Sequence, residues 1–283
     1  QNIMINFGNS LKITLTLIIL LLAMIYIFFN EKVVTPKYNE YLLELLKKNE
    51  FKFIAHAAGG IDEKIYTNSL EAINLSIQGG LKLIEIDLYE TSDKIFVGIH
   101  DWRSFKKKAN LEILNKDELS YSEFKKHKLY DKYTPLDIFK INEIFQTNED
   151  LFLVTDKTQN FRKIINDFAF SKDRILVEVF GKKNFYKSVD EGILNPIYSF
   201  NHKDLNFVLS NNIKIVAAHT ENIRENSQIY KTLIDNNIFI FAYSSNEEAF
   251  IKKNLDLNFT NIYTDFWNIN EMKCTSLKNC ITY

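Results

Sequence analysis

Four side chains that can move protons or hold a metal ion fall within 45 residues, each at the end of an apolar run. Ile84-Glu-Ile-Asp87 places Glu85 and Asp87 two apart, and side chains two apart on a strand share a face. Thirteen residues past Asp87, after an extended run from Ile95 to Ile99, come His100 and Asp101. Upstream, the run Phe51 to Ala55 ends in His56, followed by Ala57, Ala58, Gly59 and Gly60. Two imidazoles beside two carboxylates suit acid/base chemistry assisted by a metal ion. The side-chain-free backbone at Gly59 suits a turn, and it would also let phosphate oxygens approach peptide N–H groups beside His56.

Positioning these groups requires a scaffold whose strands all end on one side. Apolar runs predict strands at Phe51 to Ala55, Leu83 to Leu88, Leu151 to Thr155, Ile175 to Val179, Pro196 to Phe200, Ile213 to Ala217, Phe239 to Tyr243 and Ile262 to Thr264. Helical patterns alternate with them, which predicts an α/β fold, a (β/α)8 TIM barrel. In that fold the chemistry sits at the C-terminal ends of the strands, where His56, Glu85, Asp87, Asp156 and Asp265 fall, with His100 in the loop after the second strand. Asn68, three residues before Glu71, reads as the N-cap of a helix running to Gln78, and a helix start also attracts anions. His127 and His202 read as surface residues, whereas His219, just after the sixth strand, could reach the barrel mouth.

Phe53-Ile-Ala-His-Ala-Ala-Gly-Gly60, Tyr66-Thr-Asn-Ser-Leu-Glu-Ala72, Gly80-Leu-Lys-Leu-Ile-Glu-Ile-Asp87 and Val97-Gly-Ile-His-Asp101 together resemble the glycerophosphodiester phosphodiesterase family, which is related to phosphatidylinositol-specific phospholipases C. Weaker matches follow at Leu153–Lys157, Phe239–Asn246 and Asn261–Asp265, so the resemblance runs from about Phe51 to Phe266. It implies a TIM barrel with His56 and His100 as catalytic residues, and a divalent cation, Ca2+ or Mg2+, on Glu85, Asp87 and a third acid. Hard oxygen ligands suit those ions better than Zn2+. The resemblance also implies a substrate-side role for Asn68. Two positions depart from the family pattern. The residue after the first histidine is usually an arginine that contacts phosphate, and here it is Ala57. The third strand usually ends acid, any residue, lysine, and here it ends Thr155-Asp156-Lys157. Consecutive strand residues face opposite ways, so Asp156 would join the other acids only where the strand has ended or bulged. Glu178 is the reserve ligand, and Lys157 could replace the missing arginine as a point charge.

Ile13 to Phe29 holds no charged residue, and as a helix it would reach about 25 Å, near the thickness of a hydrocarbon core. Residues 1–30 are therefore expected to be a single-pass N-terminal transmembrane anchor. Residues 31–50 would form a connecting helix or linker, with apolar Tyr41, Leu42, Leu45 and Leu46 at helical spacing, and residues 51–283 the phosphodiesterase-like barrel. Lys12 precedes the apolar run while Lys32, Lys37, Lys47 and Lys48 follow it, a bias towards a cytoplasmic barrel. The plan of a signal anchor argues the other way, and the expectation is an extracytoplasmic barrel. Cys274 and Cys280 would permit a local disulfide in an oxidising compartment, or remain two thiols in a reducing one. With 35 Lys and Arg against 36 Asp and Glu, nothing calls for a nucleic-acid partner. Lys106, Lys107 and Lys108 read as a solvated charged loop that could touch anionic headgroups.

Together these features predict a membrane-anchored, metal-dependent phosphodiesterase acting on glycerophosphodiesters or lysophospholipid-like headgroups. Two other readings stand beside it. One is a metal-independent phospholipase C or phosphodiester lyase using the histidines with Lys157 or Arg103. The other is a degenerate, membrane-tethered binding module.

Overall fold

A run of β-branched and aromatic residues buried on both faces is the signature of a parallel strand covered by helices, and all eight predicted strands form as such. Each lies within two residues of its predicted limits: β1 Phe53–Ala55, β2 Leu83–Glu90, β4 Phe152–Asp156, β5 Ile175–Val179, β6 Asn195–Ser199, β7 Ile215–His219, β8 Phe239–Tyr243 and β9 Thr260–Thr264. The computed structural model describes residues 14–19, 33–48, 51–112, 116–243, 246–254 and 259–280. The eight strands pair in parallel in the order given, and β1 pairs with both β2 and β9, which closes the barrel. The ninth strand, β3 Phe96–Gly98, lies outside the barrel and runs antiparallel to the end of β2. It returns the chain so that Ile99 donates its N–H to the Asp87 carbonyl, one residue before His100.

Helix α1 Glu40–Leu45 lies under the strands, and the other helices surround them: α2 Leu70–Gln78, α3 Trp102–Lys108, α4 Tyr121–Phe124, α5 Ile138–Thr147, α6 Phe161–Asp167, α7 Gly181–Asp190, α8 Leu205–Ser210, α9 Thr220–Glu225, α10 Ser227–Asp235 and α11 Glu248–Asn254. Short polar side chains begin several of them, with Asp101, Ser120 and Asp137 each accepting an N–H of the first turn. The stretch between β3 and β4 carries α3 to α5, and Trp102, Phe105 and Phe124 pack there as an aromatic cluster. Lys106, Lys107 and Lys108 occupy the last turn of α3, where cations favour the helix dipole, and not a loop.

Inside the barrel, Ile54, Leu83, Phe152, Val154, Leu176, Ile197, Ile215, Phe239 and Phe241 form one apolar column. Leu42, Leu45 and Leu46 close its lower end, each burial contributing on the order of 1.5–3 kcal/mol. The segment expected to be a linker is thus the floor of the barrel. Tyr38 donates its hydroxyl to the Pro196 carbonyl, and the Asn39 N–H reaches the Asn195 side chain. By its internal packing the chain divides into two units, Gln1–Thr35 and Pro36–Tyr283.

In the first unit residues 14–19 are helical, with Leu15, Leu17, Ile18 and Ile19 exposed. The rest of the expected membrane span, Ile13 to Phe29, lies outside the described residues. Among the described residues no helix is long and apolar enough to cross a membrane.

Candidate active site

Strand parity decides which side chains meet at the barrel mouth. Directly paired residues of parallel strands face the same way, and Asp87 pairs with Asp156 while Val154 pairs with Leu176. Phe152, Val154 and Asp156 therefore all point inward, as do Leu83, Glu85 and Asp87. Asp156 reaches the other acids in regular register, so neither the expected bulge nor an early strand end is needed. It is Lys157 that breaks the alternation. Its φ of 61° is left-handed and turns the ammonium back over the acids, 3.1 Å from Asp156 and 3.5 Å from Asp87.

The mouth is a cleft of about 360 Å3 lined by both histidines, the three acids, Lys157, Glu178, His219 and the aromatic residues Tyr66, Phe180, Tyr243 and Tyr263. Carboxylate oxygens of Glu85, Asp87 and Asp156 all lie within 4.8 Å of one another. Glu85 Oε2 accepts the Ala57 N–H at 2.6 Å, whereas Glu85 Oε1 and Asp156 Oδ1 are buried with no hydrogen-bond partner among the described residues. Glu178 points into the same cleft but stands apart from this cluster, so Asp156 and not the reserve residue completes it.

Asn68 does not cap α2. Ser69 does, accepting the Ala72 N–H, while Glu71 accepts the N–H and hydroxyl of Thr134. Asn68, with φ at 44°, instead donates to Asp87 Oδ2 at 2.8 Å and accepts the Asp87 N–H at 3.0 Å. Hydrogen bonds to a charged group contribute about 1.5–3 kcal/mol, so this pair fixes the Asp87 carboxylate. Gly59 also departs from expectation. Its N–H donates to the His56 carbonyl at 2.7 Å, and the Gly60 N–H to the Asp265 carbonyl, so neither is free for phosphate. A Cβ on Gly59, at φ 97°, would lie 2.2 Å from Ser76 Oγ; the glycine permits the turn. Ala57 is wholly buried, and its backbone N–H rather than a side chain serves the site.

Each histidine is held by an aspartate. His56 Nδ1 lies 3.1 Å from Asp265 Oδ1, and Asp265 Oδ2 accepts from Asn246 at 2.7 Å. His100 Nδ1 lies 2.8 Å from Asp101, whose other oxygen caps α3. Between the two rings stands Tyr66, edge-on to both at centroid distances of 4.5 and 5.0 Å. His219 stands at the mouth as expected, but its Nδ1 accepts the Glu221 N–H at 3.2 Å at the start of α9. His127 and His202 lie outside the cleft.

Burial, and then crowded negative charge, governs the electrostatics. Burial, then the charges of Asp87 and Asp156, lift Glu85 well above the carboxylate range. Burial and Asp87 push Asp156 up to about 8, and burial lifts Glu178 to about 7. Burial alone would lower His56, but Asp265, with Asp87 and Asp156 farther off, outweighs it and raises the imidazole. Burial, then the charges of Asp265, Asp87 and Glu85, raise Tyr66 to about 12. Orphaned buried carboxylate oxygens and raised proton affinities fit a hard divalent cation on Glu85, Asp87 and Asp156.

No family model matches the chain, and no curated protein matches it. Solved structures do. A glycerophosphoryl diester phosphodiesterase from Parabacteroides distasonis superposes with a TM-score of 0.63 at 12% identity, covering 85% of this chain and 93% of that one. The glycerophosphodiester phosphodiesterase of Thermotoga maritima gives 0.60 at 17%, covering 76% and 94%. An Oleispira antarctica phosphodiesterase, solved with the product sn-glycerol-3-phosphate, gives 0.56 at 16%, covering 77% and 94%. The fold of this chain is the TIM barrel of the glycerophosphodiester phosphodiesterases.

Proposed function

We propose that the chain is a metal-dependent phosphoric diester hydrolase acting on glycerophosphodiesters or related lipid headgroups. The observation that carries this reading is one cleft holding three converging carboxylates with two buried unpartnered oxygens, flanked by two aspartate-held histidines. When bound to Glu85, Asp87 and Asp156, Ca2+ or Mg2+ would neutralise diester oxygens and acidify a hydroxyl.

The side chains supply the rest. One imidazole takes the proton of the attacking hydroxyl, whether from water or from the substrate's own alcohol. The other gives a proton to the departing alkoxide as its bond to phosphorus breaks. Asp265 and Asp101 fix the ring orientations, Asn68 fixes Asp87, and Lys157 adds a positive charge where the family arginine is missing. A cation-independent version finds support in the Lys157 ammonium, whereas Arg103 does not line the cleft.

The charge-free apolar run Ile13 to Phe29 supports an anchor holding the barrel near lipid-derived substrate. The Cys274–Cys280 disulfide supports placing the barrel on an oxidising, extracytoplasmic side.

The test is hydrolysis of glycerophosphodiesters by the full chain in mild detergent. Activity is expected to vanish in chelator and return with Ca2+ or Mg2+. Full activity in excess chelator would establish the cation-independent version, and tight diester binding without turnover would make the protein a binding module.

A further inference from the structure

A second chamber of about 440 Å3 adjoins the cleft, with Tyr66 and His100 lining both. The second chamber adds Glu63, Lys64, Lys108 and Tyr130 to its walls. The Glu63 carboxylate is already engaged, accepting from the Ser276 hydroxyl, the N–H groups of Leu277 and Lys278 at 3.0 and 3.1 Å, and Asn279 Nδ2. Lys64 and Lys108 form no ion pair among the described residues. Lys108 donates to the Tyr66 backbone carbonyl, leaving two of its three N–H donors.

The aromatic walls invite comparison with sites for quaternary ammonium groups, but their cation positions are taken. The Lys64 ammonium lies 4.8 Å from the Tyr130 ring centroid and that of Lys108 lies 5.9 Å from the Tyr66 ring. A choline group entering here would meet two positive charges. An anion would meet two ammonium groups and a carboxylate whose lone pairs are already used, while Asp87 and Asp101, near enough to act on Lys108, are engaged by Asn68 and by His100 with the start of α3.

We propose that this chamber seats the departing alcohol of the diester and favours an alcohol carrying its own negative charge, such as a second phosphate. The inference rests on the phosphodiesterase reading and its two histidines. An alcohol seated there presents its ester oxygen to His100, which lines both spaces, whereas His56 lines only the cleft. As the phosphorus–oxygen bond breaks, its electron pair stays on the alcohol oxygen, and that oxygen takes the proton from His100. His56 accepts the proton of the attacking hydroxyl, whose oxygen forms the new bond to phosphorus.

The experiment compares the full chain, with divalent cation, on glycerophosphoinositol 4-phosphate, glycerophosphoinositol and glycerophosphocholine. The expected kcat/KM is about tenfold higher for the phosphorylated inositol substrate than for its unphosphorylated partner, and lowest for the choline diester. Added salt should shrink the ratio. Lys64→Gln, which leaves the Lys108 contact to Tyr66 intact, should lower it about threefold, and Lys64→Gln with Lys108→Gln should bring it close to one. Equal kcat/KM for the two inositol diesters, a preference for choline, or a ratio untouched by both variants would overturn the chamber while leaving the hydrolase reading standing. No turnover of any diester would overturn both.

Discussion

The two ends of this barrel are built on the same strands and are opposite in chemistry. At the lower end the inward positions are Ile54, Leu83, Phe152, Leu176, Ile197, Ile215 and Phe239, packed on Leu42, Leu45 and Leu46. Two to four residues further along, the same inward rows reach His56, Glu85 and Asp87, Asp156, Glu178, Ser199, His219 and Tyr243. A barrel interior can therefore be stable at one end and electrostatically strained at the other without any change in backbone path. At the upper end Asp87 and Asp156 share the Lys157 ammonium while Glu85 is buried without an ion pair among the described residues, a costly arrangement that a well-packed apolar floor can tolerate.

The largest expected contrast is in the histidines. His56→Ala and His100→Ala should each lower kcat by at least about 100-fold, and the double variant should lose far less than the product of the two. A nitrophenyl diester, whose leaving group needs little protonation, should rescue His100→Ala and leave His56→Ala slow. Rescue of His56→Ala instead would exchange their roles. Near-normal activity in both variants, with loss in His219→Ala, would move the chemistry to β7.

The next contrast sets one end against the other. Leu45→Ala should lower stability by about 2–4 kcal/mol, read by denaturant unfolding, with kcat of the folded protein unchanged. Asp156→Asn should do the reverse: it should raise the melting temperature in chelator and weaken cation affinity at least about tenfold by calorimetry. Glu178→Gln should affect cation affinity less. A lower melting temperature for Asp156→Asn in chelator would mean that the acids are not strained.

The smallest effect is a pH dependence. In the native chain Glu178 holds its proton to about 7 and Asp156 to about 8, against ordinary values of 4.5 and 3.8. Between those limits the unfolded chain binds fewer protons, so this contribution is complete below about pH 4 and is lost as pH rises to about 8. In chelator the melting temperature should fall by about 5 °C or more from about pH 5 to about pH 8, and saturating Ca2+ or Mg2+ should flatten that slope. A melting temperature that climbs over this range in chelator would contradict the raised proton affinities.

Much of the upper end was legible because strand parity is a local rule. Ile84-Glu-Ile-Asp87 declares two acids on one face, and every barrel strand was visible as an apolar run. What escaped were contacts set by left-handed backbone or by partners far along the chain. Tyr66, at φ 54°, sits in a turn with no periodicity, so nothing local placed it between two histidines. Asn68 and Ser69 are equally good caps, and only Asp87, nineteen residues on, decides between them. Lys157 reaches the acids through a non-glycine left-handed turn that no pattern announces. The helical spacing of Leu42 and Leu45 was clear, yet which surface it covered depended on the whole assembled barrel.

The hydrogen bond between His56 and Asp265 crosses the seam where the first strand meets the last, linking residues 209 apart. A ribosome adding about 5–20 residues per second would place His56 in the cell roughly 10–40 seconds before its aspartate exists. During synthesis the acids of β2 and β4 are already made, but the imidazole lacks the carboxylate that fixes its Nδ1. The geometry of His56 thus depends on the final strand docking, and an interrupted chain ending before β9 would carry the acids and both histidines without the aspartate that orients the first.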